Sequence, residues 1–205
     1  MRLHYHPQSR CSLRVLMTAR HLGIPLELVP VDLSRGEQMA LAFLALNPNH
    51  AVPVLEDGDF VLWESFAIMQ YLAGKVPGQS LHPAEPRARA DVDRWLFWCA
   101  QHFAPAVAIL NWENAIKPMI GAGAADAAKV AEGESLVKEY GGMLDAHLAG
   151  REWIRGGAPT LADLAIAAPL ADTGRARLPV LGLPNLQRWF ARVQALDCWS
   201  GVQRA

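Results

Sequence analysis

All strand-like segments of this 205-residue sequence lie before residue 63, and only helical patterns follow residue 87. Such a separation favours a small α/β layer followed by a group of packed helices. Residues 79–87 carry two prolines and little hydrophobic periodicity, which is typical of a linker. We therefore predict an α/β domain over residues 1–78, a linker over 79–87 and an all-helical domain over 88–205.

The first domain is predicted to contain, in order, β, α, β, α, a β-hairpin and a last α-helix. Gly23 should cap the first helix at its C-terminus, and Pro30 favours an edge position for the second strand. The segments are Arg2–Tyr5, Leu13–Leu22, Leu26–Val31, Gln38–Leu46, the hairpin strands Val52–Leu55 and Phe60–Leu62, and Ser65–Ala73. A glycine-containing turn between the two apolar runs is the hairpin signal.

Four helical patterns occupy the second domain. They cover Ala88–Ile116, Ala124–Leu148, Thr160–Ala171 and Leu186–Leu196. Pro105 lies inside the first of these and should kink or divide it, because proline lacks the N–H that a helix interior needs.

Composition and charge exclude several classes of protein. Apolar residues make up 52% of the chain and the net charge is −1, so the chain is not a disordered one. Neither half is basic, which gives no electrostatic reason to expect nucleic acid or an anionic membrane surface as a partner. No apolar run reaches the roughly 18 residues of a membrane-spanning helix.

The cysteines and histidines suggest neither a disulfide framework nor a metal site. Cys11, Cys99 and Cys198 are odd in number and widely spaced, which favours a reducing compartment. The first residues lack the pattern of a secretory signal, so we expect a cytoplasmic protein. His4 and His6 share one strand face but have no third ligand nearby in the sequence, and we expect no metal.

The first candidate site is the segment from Ser9 to Ser12, which joins the first strand to the first helix. Backbone N–H groups and the helix dipole at such a position stabilise negative charge. A hydroxyl or thiol there could donate to an anion or become one. The alternative is that Ser12 is only the N-cap and Cys11 only a small buried apolar residue.

The second candidate site surrounds Pro53, which lies just inside an apolar strand segment. A cis Val52–Pro53 bond would explain that position. It would also leave the N–H and C=O of Val52 free to pair with an extended peptide. An ordinary edge-strand proline is the alternative.

The third candidate site is the pair Glu64 and Ser65 at the start of a predicted helix. Ser65 is a good N-cap, and the helix N-terminus suits a carboxylate, while Glu64 suits an ammonium group. Together they fit the zwitterionic end of a peptide. A plain capped helix would explain Ser65 but not Glu64.

With these three motifs, the sequence resembles a cytosolic glutathione transferase over essentially its whole length. A fourth motif in the helical half resembles the capping box of that family, with Thr160 and Asp163 answering each other. The motifs are Ser9-x-Cys-Ser-x-Arg-Val15, Asn47-Pro-x-His-x-Val-Pro53, Leu62-Trp-Glu-Ser-x-Ala-Ile68 and Pro159-Thr-Leu-Ala-Asp163. The resemblance implies a thioredoxin-like N-terminal domain, an all-helical C-terminal domain and a homodimer.

The resemblance also implies roles for single residues in a glutathione site. Val52 next to Pro53 would pair its backbone with the cysteinyl unit, and Glu64 with Ser65 would hold the γ-glutamyl end. His50 would contact the glycine end.

The residue that supports the thiolate stays open among Ser9, Cys11 and Ser12. Ser9 matches the catalytic serine of the delta, theta and zeta-like classes. The resemblance implies a bacterial member of this serine type. Cys11 resembles the catalytic cysteine of the beta class. Tyr5 is a weaker fourth candidate.

Two positions depart from the family pattern. Many bacterial members have glycine and a basic residue where this chain has His50 and Ala51, and Phe66 stands where a polar or basic residue is frequent.

The implied function is conjugation of glutathione, as co-substrate, to a small hydrophobic electrophile in detoxification. The alternatives are a glutathione-dependent thiol–disulfide reductase using Cys11 and a non-catalytic binding module. Candidates to line the electrophile site are Gln8, Arg10, His102, Phe103, Ile109, Trp112 and Met119.

Overall fold

The computed structural model describes residues 1–201, which form two compact units. The first unit contains Met1–His82 together with residues 196–201, and the second contains Pro83–Ala195.

A four-stranded mixed sheet organises the first unit. Its strands are β1 (Arg2–Tyr5), β2 (Glu27–Pro30), β3 (Val54–Asp57) and β4 (Phe60–Trp63), in the order β2-β1-β3-β4. Strands β1 and β2 are parallel, whereas β3 runs antiparallel to both β1 and β4. The predicted crossover followed by a hairpin is therefore confirmed. Pro30 ends β2, an edge strand, where its missing N–H costs no ladder hydrogen bond.

Eleven α-helices are present in residues 1–201. In chain order they are α1 (Arg10–His21), α2 (Leu41–Leu44), α3 (Ser65–Gly74), α4 (Pro86–Trp98), α5 (Ala104–Asn111), α6 (Lys117–Met119), α7 (Ala127–His147), α8 (Leu161–Leu170), α9 (Thr173–Ala176), α10 (Pro184–Gln194) and α11 (Asp197–Ser200). Helices α4–α10 form the second unit.

Helix α1 begins three residues earlier than predicted and ends one residue earlier, with Leu22 as its C-cap. The Ser12 N–H donates to Oγ of Ser9, which makes Ser9 the N-cap. At the other end, Gly23 has φ +68° and donates its N–H to the Arg20 carbonyl. The Ile24 N–H also donates to a carbonyl in the last turn, which completes a Schellman cap.

The predicted helix Gln38–Leu46 is wrong as a continuous element. A 3₁₀ turn covers Glu37–Met39, Ala40 is extended, and α2 follows. This segment has no continuous apolar face to bury: Leu41 is 86% exposed, and Phe43 is the buried residue of α2.

The predicted helix Ala88–Ile116 is interrupted by two π-helical segments, Cys99–Phe103 and Trp112–Ile116. Pro105 lies in the first turn of α5, directly after the first of these segments, where the missing N–H is tolerated. The predicted division at this proline is thus confirmed.

Helix α4 begins inside the segment that we interpret as a linker. The Glu85 carboxylate accepts from the backbone N–H groups of Arg87 (2.9 Å) and Ala88 (2.7 Å), and Pro86 occupies the first helical position. Both features fix a helix N-terminus there.

The capping box of α8 is confirmed and extends into the core of the second unit. Asp163 Oδ2 accepts from the N–H and hydroxyl of Thr160 at 2.8 and 2.9 Å. Its Oδ1 accepts from the Ile154 N–H and from Trp189 Nε1. Burial raises the pKa of the Asp163 carboxyl, and these hydrogen bonds partly offset that rise.

Helix α11 belongs to the first unit, although its sequence position places it in the predicted helical domain. It packs against α1 and buries Cys198 and Trp199. Because Cys198 and Trp199 are buried in the first unit, α11 belongs to that unit and not to the predicted helical domain.

Candidate functional site

The three N-terminal motifs meet at one end of the sheet, where β1 and β4 end and β3 begins. His4 near the end of β1 pairs with Val54 at the start of β3, and Val54 pairs with Trp63 at the end of β4. The segment after β1, the segment before β3 and the segment after β4 must therefore lie side by side. These segments carry Ser9, Val52 and Glu64.

Ser9 presents a hydroxyl whose proton is not used. Its Oγ accepts from the Ser12 N–H at 3.2 Å, and within residues 1–201 it donates to no other group. The side chain is half-buried at the N-terminus of the 12-residue helix α1. A hydroxyl in this position can donate to an anion that also interacts with the helix dipole.

Ser12 and Cys11 occupy environments that differ from those of the simplest sequence interpretation. Ser12 is fully buried and is not the N-cap, because its Oγ accepts from the His6 N–H at 3.3 Å inside the loop. Cys11 is exposed rather than buried, in the first turn of α1. Of these two side chains, only Cys11 is open to a ligand.

The Val52–Pro53 bond is cis, as predicted. Strand β3 begins at Val54, two residues later than predicted. Since β3 is a central strand, the edge-strand alternative for Pro53 is wrong. Within residues 1–201, neither the N–H nor the C=O of Val52 makes a backbone hydrogen bond, so both can pair with a peptide.

The loop before Val52 is held by Asn47, a residue to which the sequence interpretation gives no role. Its buried side-chain amide donates to the Ala51 carbonyl at 2.7 Å and accepts from the Asn49 N–H at 3.0 Å. His50 lies between them with φ 45° and an exposed side chain. The signal was available, since asparagine before proline is a common start of a turn.

The turn from β4 into α3 differs from the prediction at its cap. Glu64, not Ser65, is the N-cap residue, and it has φ 72° and ψ 109°. Ser65 is the first helical residue and is 4% exposed, whereas Glu64 is exposed. No side chain caps the first turn of α3, so its N–H groups remain available to an anion.

Arg14 is a further site residue that the sequence interpretation missed. It projects from α1, is 2% exposed, and donates from Nη1 to Oγ of Ser65 at 3.4 Å. Its guanidinium lies 4.4 Å from the centre of the Phe66 ring. Because α1 packs against α3, the Arg14 side chain reaches the first turn of α3.

The candidates for the electrophile site differ in exposure. Phe103 is fully buried in the core of the second unit, so it is wrong as a lining residue. Trp112 and Met119 are 44% and 55% exposed. His102 is exposed, and its ring contacts that of Tyr140 at 5.4 Å between centroids.

Two kinds of feature are not found in the described part of the chain. Residues 1–201 contain no group of three or more His, Cys, Asp or Glu side chains arranged to hold a metal ion. Over the same residues, every helix is too short or too polar to cross a membrane.

Comparison with known proteins identifies the family. The model of the glutathione S-transferase N-terminal domain matches residues 8–75, and the model of the C-terminal domain of that family matches residues 101–197. A glutathione S-transferase from Hyoscyamus muticus is 33% identical over 204 residues, which cover 98% of this chain and 96% of the relative. The chain belongs to the glutathione S-transferase family.

Solved structures of the family agree with the fold described above. Glutathione transferase F2 from Populus trichocarpa superposes with a TM-score of 0.92 at 24% identity, covering 99% of this chain and 97% of the other. A glutathione S-transferase I bound to lactoylglutathione gives a TM-score of 0.88 at 26% identity, covering 99% and 98%. The predicted fold, a thioredoxin-like domain followed by an all-helical one, is confirmed.

Proposed function

We propose that, in this glutathione transferase, Ser9 stabilises the thiolate of glutathione for attack on a small hydrophobic electrophile. The observation that carries this proposal is the unused hydroxyl proton of Ser9 at the N-terminus of α1. Ser9 lies at the end of the sheet where the backbone N–H and C=O of Val52 make no backbone hydrogen bond within residues 1–201. The family of the chain supports glutathione as the co-substrate.

The energetic requirement on Ser9 is modest. A free thiol has a pKa of about 8.5, so only a few per cent is ionised near neutral pH. Each unit by which the pKa falls corresponds to about 1.4 kcal/mol of preference for the thiolate. A hydrogen bond from Ser9 and the dipole of α1 together supply one to two units, on the order of 2 kcal/mol.

We assign the other parts of glutathione to residues at the same end of the sheet. The backbone of Val52 next to cis Pro53 pairs with the cysteinyl unit, and His50 lies near the glycine end. Glu64 receives the ammonium group of the γ-glutamyl end, while Ser65 and the first turn of α3 receive its carboxylate.

Cys11 supports a second candidate function because it is exposed in the first turn of α1. Its thiolate would attack the sulfur of a glutathione mixed disulfide, form a new disulfide with glutathione and release the other thiol. A second glutathione thiolate would then restore Cys11 and leave as oxidised glutathione. Ser12 has neither role, since it is fully buried and bonded to the His6 backbone.

The two functions are separated by a pair of variants. Ser9→Ala should lower kcat for transfer to an aryl halide roughly ten- to a hundredfold, because one hydrogen bond to a charged sulfur is lost. Cys11→Ala should leave this rate within about twofold and serves as the matched control. Reversed effects, together with loss of thiol–disulfide exchange in Cys11→Ala, would assign the chemistry to Cys11. Retention on immobilised glutathione with neither activity would identify a binding module.

We also propose that the chain is a cytoplasmic homodimer that acts in detoxification. Phe60, on edge strand β4, is 45% exposed and offers an apolar side chain to a second copy. Phe60 is held by the Tyr71 ring at 5.3 Å, and the Tyr71 hydroxyl donates to Asp57. Analytical ultracentrifugation should give twice the chain mass, and cell fractionation should recover the protein with the cytosol.

A further inference from the structure

Arg14 carries a buried charge without an acidic partner. The residue is 2% exposed, and in the described part of the chain no carboxylate oxygen lies within 4.0 Å of its guanidinium. Its Nε is buried and has no hydrogen-bond partner. Since a buried charge is costly unless it is paired, this arrangement lacks an anion.

The groups around Arg14 do not replace that anion. Phe66 offers the face of its ring at 4.4 Å, which offsets a small part of the cost. Ser65 accepts one hydrogen bond from the guanidinium at 3.4 Å, but its hydroxyl is uncharged. The N-terminus of α3, at which both residues lie, itself carries partial positive charge and so adds to the excess.

The geometry also excludes one direction for the hydroxyl proton of Ser65. Arg14 Nη1 occupies one lone pair of Ser65 Oγ, so the hydroxyl proton of Ser65 must point elsewhere. An uncapped first turn of α3 adjoins it. An anion bound there would receive the Ser65 hydroxyl, the N–H groups of the first turn and the field of the guanidinium.

We infer that Arg14 is a positioning residue for the α-carboxylate of the γ-glutamyl group, orienting the Ser65 hydroxyl and supplying the positive charge that this carboxylate balances. The inference rests on the proposed function, and it deepens that function by naming the origin of selectivity for a carboxylate. Phe66 then has a purpose where a polar residue is frequent in the family, because its ring holds the guanidinium in place.

The test compares glutathione with 4-aminobutyryl-cysteinylglycine, which has the same ammonium and thiol but no γ-glutamyl carboxylate. Wild type should bind glutathione roughly ten- to a hundredfold more tightly by calorimetry, the ratio expected for one charge-assisted contact. Arg14→Met should reduce that ratio to within about threefold. It should raise the glutathione KM while leaving kcat within about threefold, because the carboxylate lies far from the sulfur.

Two further variants make the result specific. Arg20→Met removes an exposed arginine from the same helix and should preserve the wild-type ratio. Arg14→Lys retains the charge and should preserve most of the ratio, which keeps the inference testable if Arg14→Met fails to fold.

The outcomes separate this inference from the proposed function. If wild type binds neither peptide, the proposed function fails. If wild type prefers glutathione and Arg14→Met keeps the same ratio, or if Arg14→Lys loses it completely, the role of Arg14 as the balancing charge is overturned.

Discussion

At the scale of single residues, an unusual backbone conformation marks two residues of the candidate site. Among residues 1–201, three non-glycine residues have positive φ, and two of them, His50 and Glu64, belong to the glutathione motifs. L-residues adopt such angles at a cost of about 1–3 kcal/mol, which is tolerated mainly where function needs the geometry. Glu64 therefore combines strain with an exposed carboxylate.

This strain predicts different stabilities for two variants of Glu64. Glu64→Gly should have a free energy of unfolding about 1 kcal/mol higher than Glu64→Ala, because only glycine adopts φ 72° without strain. Both should raise the glutathione KM and leave the electrophile KM nearly unchanged. Urea titrations and steady-state kinetics give the two measurements. Equal stabilities would show that the turn is not strained, and an unchanged glutathione KM would remove Glu64 from the site.

Residue-level prediction succeeded where a motif determines the local backbone. The cis bond before Pro53 follows from a proline beside an apolar strand, and the Thr160–Asp163 capping box follows from spacing alone. The N-cap at Glu64 could not be predicted, since a positive φ leaves no trace in the residue type. Arg14 was missed because its burial depends on α3, which begins about 50 residues later in the chain.

At the scale of elements, the packing of α7 is limited by glycine. A Cβ on Gly133 would lie 2.9 Å from Cδ2 of Leu110 on α5, whereas a Cβ on Gly142 would meet nothing within 4 Å. The two glycines thus occupy the same helix under opposite constraints. Gly133 permits the close approach of α5 and α7, and Gly142 only weakens the helix.

This contrast gives a matched pair of substitutions. Gly142→Ala should raise the free energy of unfolding by roughly 0.5–1 kcal/mol through helix propensity. Gly133→Ala should lower it by about 1 kcal/mol, because the overlap with Leu110 outweighs the same gain. Chemical denaturation monitored by tryptophan fluorescence measures both. A gain of stability in Gly133→Ala would mean that Leu110 adjusts at little cost.

Hydrophobic periodicity predicts most elements but not their interruptions. The long pattern from residue 88 continues through both π segments, because a π segment changes the backbone hydrogen bonds to i→i+5 and leaves no mark in the residue types. The predicted helix at 38–46 fails for the opposite reason. Its residues favour a helix locally, but they bury too little for tertiary packing to maintain one.

At the scale of the whole molecule, the three cysteines differ in burial, so their reactivity measures whether the chain is folded. Cys11 is exposed, whereas Cys99 and Cys198 are buried, and burial raises the pKa of the Cys198 thiol to about 11. Because the thiolate is the reactive form, Cys198 stays unreactive at pH 8 even when reagent approaches it.

We therefore predict that one thiol per native chain reacts rapidly with an aromatic disulfide reagent at pH 8. All three should react in denaturant, and Cys11→Ala should leave none rapidly reactive in the native protein. Absorbance of the released thiolate gives the count directly. Rapid reaction of two thiols in native wild type would contradict the burial described here.

The change from strand to helical patterns near residue 80 predicts two kinds of architecture within one chain. It does not predict that residues 196–201 rejoin the first unit. Local pattern describes an amphipathic helix in the same way wherever it packs, and the return of α11 to α1 depends on contacts between residues almost 180 positions apart.

That return has a consequence for how the protein emerges from the ribosome. Helix α1, whose N-cap is Ser9, leaves the exit tunnel long before α11, the helix that covers part of its apolar surface. A fragment ending at His82 would contain the sheet with α1 and α3, yet Cys198 and Trp199 would be missing from its core. Loop closure over such a distance is slow compared with local folding. Nascent chains therefore carry a partly uncovered first unit throughout the synthesis of the second.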